Sequence, residues 1–497
     1  MTLIMALDQG TTSSRTVLVN AKGEFVGQSS APLDCYYPQT GWVEQDPLQI
    51  WNTQLKTMLD VMQKTNLSIE DVVGLGITNQ RETTVVWEKA TGKPLAPAIV
   101  WQCRRSTAIC EQLKTEGKES LIRKKTGLVL DPYFSASKMR WLLNEVPGLY
   151  EKMKAGEICF GTVDSWLIWN LTAGKEFKTD VTNASRTMLC DLKTASWDEE
   201  LLAIFGIEQS ALPEIVPSSG KLAEIENSIL GKSLPIAGIA GDQQSALFGQ
   251  ACFDVGQAKN TYGTGCFLML NAGPKPVHSN HQLLSTIAWQ IGEERTYALE
   301  GAVFVAGSLI QWLRDKMEFF KNASETEKMA LSVEDSDGCY VVPAFVGLGA
   351  PHWDAYARGL IIGLTRNTSK AHIVRASLEA VAYQSAEVLQ CMEADLGYPL
   401  QELKIDGGAS ANNFLAQDQA DLLGRTVRRP KNAESTALGA AFLAGLAVGV
   451  WPSIESLKSC WHEDRKFEGS ISEDNRKARM MGWLRAEERS KRWLQEN

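Results

Sequence analysis

The sequence lacks most of the features that would assign its class at a glance. Its ten cysteines are scattered and no two form a C-x-x-C pair. That excludes a disulfide framework and a cysteine-based zinc site, and leaves reduced thiols as the simplest reading. Positive charge is not in surplus: 50 Lys and Arg stand against 59 Asp and Glu, a formal net charge of −9. An acidic balance argues against broad binding to nucleic acid or to anionic membranes, while leaving room for a local basic pocket around a phosphate. No apolar run is long enough to span a bilayer. The longest uncharged one, ALGAAFLAGLAVGVW from Ala437 to Trp451, falls short of the ~20 residues a crossing needs. Its alanines and glycines fit a helix packed closely on a sheet. The N-terminus, MTLIMALDQG, has neither the basic n-region nor the long apolar h-region of a secretory signal. The expectation is a cytoplasmic protein with no membrane insertion. Two nucleotide-binding fingerprints are also missing. No G-x-G-x-x-G follows the first strand, and no G-x-x-x-x-G-K-[ST] occurs anywhere, so Rossmann and P-loop readings lack support.

What remains is ordinary for a soluble globular chain: 44% hydrophobic and 22% charged residues in a length of 497. That length implies two or three domains. The first stretch reads as a meander of strands at Leu3–Leu7, Thr16–Val19 and Phe25–Ser29, with turns at Gly10 and at Lys22-Gly23. A helix follows at Pro47–Gln63, with Asp46 as its N-cap and Pro47 as its first residue. Val72–Thr78 is the next strand, and Val85–Glu88 and Ala98–Val100 are expected to continue the sheet. Helical patterns dominate from Ser106 to about Met153. A second half repeats the grammar. Ala258–Gly273 reads strand, tight turn, strand; helices are expected at Ala302–Phe319 and Ala371–Ala394; Leu403–Ile405 is a short strand ending in Asp406-Gly407-Gly408. Each half therefore opens with a strand–turn–strand whose turn is rich in hydroxyls, a repeat in design rather than in letters. The boundary is placed at 249–257, where Gly249, Asp254 and Gly256 interrupt the pattern.

Those turns carry the chemistry. In Asp8-Gln9-Gly10-Thr11-Thr12-Ser13 a tight turn exposes successive backbone N–H groups, Gly10 allows close approach, and three hydroxyls add donors. This is a phosphate cradle, and Asp8 beside a phosphate calls for an intervening hydrated Mg²⁺. A hairpin whose Asp merely closes the turn is the alternative. Thr261-Tyr262-Gly263-Thr264-Gly265 is a second such turn, and two cradles in two similar halves fit one nucleotide gripped from both sides. A third glycine turn, Asp406-Gly407-Gly408, ends a strand and opens a helix, where the helix N-terminus favours anions. Arg81 and Glu82 follow a strand and offer a donor fork and an acceptor, or else an exposed ion pair. Tyr133 offers a phenol or is a core aromatic with a wet tip. Asp242 and Gln243 sit where a strand gives way to a helix, and Asp242 could be a plain N-cap.

In combination these features resemble the superfamily of sugar kinases, heat-shock proteins and actin-like ATPases, and within it the FGGY carbohydrate kinases. Two signatures of that family stand in place. One is YFSASKMRW at 133–141; the other runs from GLIIGL at 359–364 to HIVRASLE at 372–379. The branch that phosphorylates glycerol is matched along nearly the whole chain. The matching segments are ALDQGTTSSR (6–15), GWVEQDP (41–47), GITNQRETTVVW (76–87), AIVWQCRR (98–105), GLVLDPYFS (127–135), IAGDQQSALFGQ (239–250) and NTYGTGCF (260–267).

The resemblance implies an α/β fold of two ribonuclease-H-like (actin-like ATPase) domains with the active site in the cleft between them. Residues 1–250 would bind glycerol and phosphate, and residues 251–497 would bind nucleotide. The implied activity is ATP-dependent phosphorylation of glycerol to sn-glycerol 3-phosphate in glycerol catabolism, with Mg²⁺ and with a homodimer or homotetramer as the assembly. It assigns Arg81, Glu82, Tyr133, Asp242 and Gln243 to glycerol, with Trp101 and Phe267 packing on its carbon side and Asp242 as general base. It assigns Thr11, Thr12, Ser13 and Arg15 to the nucleotide phosphates. Thr264, Gly307, Gln311, Gly408 and Asn412 complete the nucleotide site, and Asp8 orders the water shell of Mg²⁺. The 226–235 loop, where some members of the branch carry a regulatory arginine or histidine, has neither. Two rival readings are a kinase for a larger polyol or sugar, and a non-catalytic actin-like ATPase. The intact Asp242 and polyol-binding set favour catalysis.

Overall fold

A computed structural model of the protein describes residues 1–494. Its backbone is organised by one long sheet, whose strands fall into two sets of the same design. In the first half, β1 (Leu3–Gln9), β2 (Ser13–Asn20) and β3 (Phe25–Pro32) form an antiparallel meander. Next come β4 (Val72–Asn79), β5 (Ser219–Glu224) and β6 (Pro235–Gly241); β4 lies parallel to β1, and β6 parallel to β4. In the second half, β7 (Gln257–Tyr262) and β8 (Cys266–Gly273) form a hairpin. They are followed by β9 (Leu284–Ile291), β10 (Glu294–Val303), β11 (Glu402–Asp406), β12 (Thr426–Pro430) and β13 (Glu463–Phe467).

The order across the sheet is β13-β12-β11-β7-β8-β10-β9-β5-β6-β4-β1-β2-β3. The set β3-β2-β1-β4-β6 is thus matched by β10-β8-β7-β11-β12: three antiparallel strands, then two parallel ones. The two sets meet at a narrow seam, where β5 and β9 share the single register pair Ser219↔Ile291. The repeat read from two hydroxyl-rich turns is therefore a repeat of topology.

Seven helices matter for the site: α1 (Pro47–Thr65), α2 (Asp242–Gly249), α3 (Gly307–Asp315), α4 (Lys370–Leu396), α5 (Asn413–Leu423), α6 (Ser435–Ala447) and α7 (Glu473–Glu488). Asp46 caps α1 as its sequence position implies, its carboxylate accepting from the Leu48 amide at 2.9 Å. The apolar run at 437–451 supplies α6, and glycines on the sheet let it approach. A Cβ on Gly76 of β4 would lie 2.2 Å from the Ala440 carbonyl oxygen, and one on Gly238 of β6 would lie 2.4 Å from the Ala444 nitrogen. So a helix from the second half covers strands of the first, sharing a core with Ile4, Ala6 and Ala240. Each large apolar side chain fully buried there contributes about 1.5–3 kcal/mol.

Two expectations are corrected. Val85–Glu88 and Ala98–Ile99 do not continue the main sheet. The first pairs with Ile158–Gly161 and the second with Glu44–Gln45, each in a small sheet of its own. The chain leaves β4 through Arg81 and Glu82, and Glu82 takes a left-handed φ of 59°, which turns the following segment off the sheet. The helix expected from Ala302 begins only at Gly307, because Ala302 and Val303 stay paired with Phe267 and Cys266 in β10. It also stops at Asp315, short of Phe319. In the 226–235 loop, the Lys232 ammonium donates to the Glu70 and Val72 carbonyls, each at 3.2 Å. It is occupied by the backbone rather than held out for an anion.

Candidate active site

The first cradle is a closed turn. The Gly10 amide donates to the Ser13 carbonyl at 3.0 Å and the Leu33 amide to the Thr12 carbonyl at 2.9 Å, and Thr12 is exposed. Thr11 is fixed from two sides: its carbonyl accepts from Gln45 at 2.6 Å, and its hydroxyl accepts from the Trp101 indole N–H at 3.0 Å. Asp8 and Arg15 face each other across β1 and β2, and Arg15 forms an ion pair with Glu434, just before α6. Burial pushes the Asp8 carboxyl up to about 6; Arg15 works against this, and the nearby Glu434 and Asp242 add to it.

The second cradle is built the same way and is braced from behind. The Gly263 amide donates to the Gly265 carbonyl at 2.9 Å, and the Thr264 carbonyl accepts from the Ala306 and Ser308 amides at 2.9 and 3.1 Å. Gly307 is required by this contact, since a Cβ there would sit 2.5 Å from the Gly263 carbonyl oxygen. Gln311 lies exposed one turn along α3. At the third turn the helix does not open directly. One 3-10 turn, Gly408–Ala411, intervenes before α5. Asn412 is the cap of α5: its side-chain oxygen accepts from the Leu415 amide at 3.1 Å, and its amide nitrogen donates to Thr326 at 3.2 Å. Gly408 faces open space, with no atom within 4 Å of where a Cβ would be.

Between the cradles lies a buried charge network. Arg81 and Glu82 are only 2% and 1% exposed, so they are not a surface pair. Arg81 makes a two-pronged contact with Glu300 of β10, at 2.6 and 2.8 Å. Its Nε lies 3.1 Å from Asp242, and its Nη2 lies 3.5 Å from the Tyr133 hydroxyl. Arg186 closes the circuit, donating to Glu82 at 2.7 Å and to Glu300 at 3.2 Å. Although burial opposes its charge, Glu300 is held down to about 2 by Arg186 and Arg81.

Asp242 is the first residue of α2, not its cap; Gly241 takes that place. Its side chain is 31% exposed, so it is reachable from solvent. Burial raises its pKa, opposed by Arg81 and Lys259. Gln243 beside it accepts from the Lys259 ammonium, which also donates to Thr261 at 3.0 Å and to the Phe267 carbonyl at 3.1 Å. Burial lowers Lys259 to about 8. Trp101 stands edge-on to Tyr133 and to Phe267, with ring centroids 5.7 and 6.3 Å apart, and so joins the halves across an aromatic wall.

Arg81, Glu82, Tyr133, Asp242, Gln243, Trp101 and Phe267 thus converge on one place, with the turn of Thr11, Thr12 and Ser13 tied to it through Trp101. Arg186, Glu300 and Lys259 were missed by sequence reasoning. A signal was there for two of them: a lone charge within an apolar or uncharged stretch, Lys259 in QAKNTY and Glu300 in the YALEGAV part of β10, is costly to bury unless paired.

The models of the FGGY family of carbohydrate kinases match this chain twice, the N-terminal domain over residues 3–249 and the C-terminal domain over residues 258–448. The chain belongs to the FGGY family of carbohydrate kinases. Among curated FGGY kinases, it is 55% identical to the glycerol kinase of Symbiobacterium thermophilum over 99% of both chains. It is 54% identical to that of Caldanaerobacter subterraneus, again over 99% of both. Among solved structures, the Plasmodium falciparum glycerol kinase with ADP superposes with a TM-score of 0.94 at 37% identity, covering 100% of this chain and 99% of that one. A Lactobacillus acidophilus xylulose kinase, at 23% identity and a TM-score of 0.87 over 97% of this chain and 96% of its own, shares the fold. The fold of this FGGY kinase is accordingly the two-domain, ribonuclease-H-like architecture of sugar kinases. No helix among the described residues is long and apolar enough to cross a membrane.

Proposed function

We propose that this FGGY kinase transfers the γ-phosphoryl group of ATP to a terminal hydroxyl of glycerol, giving sn-glycerol 3-phosphate and ADP. The observation that carries the reading is the convergence of Arg81, Glu82, Tyr133 and Asp242 against the Trp101–Phe267 wall. The site offers donors, acceptors and a flat apolar face to a small, uncharged triol. The near-full-length likeness to curated glycerol kinases supports the same substrate.

In this reading Asp242 takes the proton from the attacking hydroxyl. The oxygen bonds to the γ-phosphorus as the bond from that phosphorus to the β–γ bridging oxygen breaks, and ADP leaves with the bond's electrons. A raised pKa makes Asp242 a better base than an ordinary carboxylate; burial is the cause, and Arg81 and Lys259 favour the ionised form that accepts the proton. Arg81 orients the substrate, and the Gly10–Ser13 and Gly263–Gly265 turns bind phosphate oxygens through backbone N–H groups. Arg15, Gly307, Gln311, Gly408 and Asn412 line the nucleotide side.

The carboxylates near the first turn suit a hard cation: Asp8 is raised by Glu434 and Asp242 as well as by burial, a concentration of negative oxygen donors. Asp8 would hold Mg²⁺ through its water shell. The ion, when bound, offsets the charge on the phosphates. The division at about residue 250 gives a glycerol half and a nucleotide half, whose closure excludes water and so prevents wasteful ATP hydrolysis.

The test is ADP production from MgATP with glycerol, with no acceptor, and with a panel of tetritols, pentitols and sugars. Turnover confined to glycerol is expected. Turnover with a larger polyol instead would keep the fold and the base and discard the substrate.

A further inference from the structure

Glu300 belongs to β10 of the second half, yet its carboxylate serves residues of the first. It is fully buried, 219 residues from Arg81 and 114 from Arg186 in sequence. Both oxygens face Arg81, one to each terminal nitrogen, so the guanidinium plane is fixed by two parallel bonds. That fork leaves Nε for Asp242 and turns Nη2 toward Tyr133. Gln244 adds a third restraint on Nη1 at 3.1 Å.

We propose that Glu300 is a positioning residue for phosphoryl transfer: it holds the Arg81 fork away from Asp242 and takes up the charge that Asp242 would otherwise balance. The proposal rests on Asp242 being the base. Without Glu300, the carboxylates within reach of Arg81 are Asp242 and Glu82, whose oxygen is 3.8 Å from Nε. Arg81 would then swing to meet Asp242 with two bonds. That would cover both oxygens of the base and fasten it in its ionised form, lowering its affinity for the substrate proton.

The groups facing Asp242 are Arg81 from the loop after β4, Lys259 from β7 and Glu300 from β10, with Asp8 of β1 nearby. Those facing Glu300 are Arg81, Arg186 and Lys259. Three buried cations, Arg81, Arg186 and Lys259, stand against Glu82, Asp242 and Glu300. Removing one anion leaves the set with excess positive charge; Glu82 and Asp242 can both respond by staying ionised to lower pH, and Asp242 is the one of the two whose side chain is partly exposed, at 31%.

The experiment compares wild type, Glu300→Gln and Glu300→Asp in the full chain. It reads kcat and KM for glycerol and for MgATP, ADP affinity by calorimetry, and the pH profile of kcat/KM for the best acceptor of the panel above. Expected for Glu300→Gln is a fall in kcat/KM for the acceptor of about 100-fold, with ADP affinity unchanged and the acid limb moved to lower pH. Glu300→Asp keeps the charge and should recover about tenfold of that loss. If Glu300→Gln does not fold, Glu300→Asp is compared with wild type directly. A reduced kcat with ADP affinity and melting temperature intact then supports the role. Unchanged acceptor kinetics, or acceptor and ADP parameters that weaken together with an unmoved acid limb, would overturn it. Failure of the Asp242 reading shows separately, as full activity in Asp242→Asn.

Discussion

The two parts of the candidate site are built from different materials. The proposed acceptor end is made of side chains, and charged ones: Arg81, Glu82, Arg186 and Glu300 are all buried and answer one another. The proposed nucleotide end is made of backbone. Its two turns are closed by main-chain hydrogen bonds, and the key residue Gly307 contributes by having no side chain. A small neutral triol must be told from other polyols by directional groups, whereas a polyphosphate is held well by repeated N–H groups and needs little side-chain identity. The difference teaches where each kind of substitution will be felt.

The largest effect should come from Asp242→Asn, which removes the base while keeping shape. A fall in kcat of roughly 10²–10⁴-fold is expected, with glycerol affinity by calorimetry retained. Loss of binding with kcat per bound substrate unchanged would make Asp242 part of the pocket only. Next comes Arg81→Met. It strands Glu300 and should lower the unfolding free energy by about 3–5 kcal/mol, read from denaturant midpoints, and abolish detectable glycerol binding. Gly307→Ala probes the other end. Its Cβ cannot coexist with the Gly263 carbonyl, so the second turn must move, raising KM for MgATP about tenfold or more while glycerol affinity holds. If both substrates weaken equally, the two ends are not separable and the contrast fails.

Trp101→Phe sharpens the boundary between them. It deletes one neutral hydrogen bond, to Thr11, worth about 1 kcal/mol, and should weaken both ends slightly. The smallest effect lies away from the site. His352 sits between Glu387 of α4 and Glu487 of α7, at 2.8 and 3.0 Å. Burial alone would lower its pKa, but these two acids lift it to about 9. A histidine raised on folding lends stability that is complete below its unfolded value near 6.5 and is lost as pH rises through the folded one. The melting temperature should therefore decline between pH 6.5 and about 9 in wild type and stay flatter in His352→Gln.

Local features were legible in the sequence and distant ones were not. The strand–turn–strand units, the cap at Asp46 and the strand read as Val72–Thr78 depend on neighbours and were readable with ends up to three residues short. Arg81, Tyr133 and Asp242 stand out because their motifs do. Glu300 carries no motif: it is an acid in a strand, and its meaning comes from two arginines more than a hundred residues away. The same holds for Val85–Glu88, whose strand character is local but whose partner is a matter of where the chain turns at Glu82.

The placement of α6 has a consequence for how the chain is made. Ile4, Ala6 and Ala240 lie under a helix that begins only at Ser435, and Trp451 reaches back to the Ala21 carbonyl across 430 residues. A ribosome releases the first half long before its cover exists. Until the last eighth of the chain emerges, beginning at Ser435, one face of the opening sheet stays bare and aggregation-prone. Residues 1–250 expressed alone should therefore be poorly soluble, although they carry most of the acceptor site.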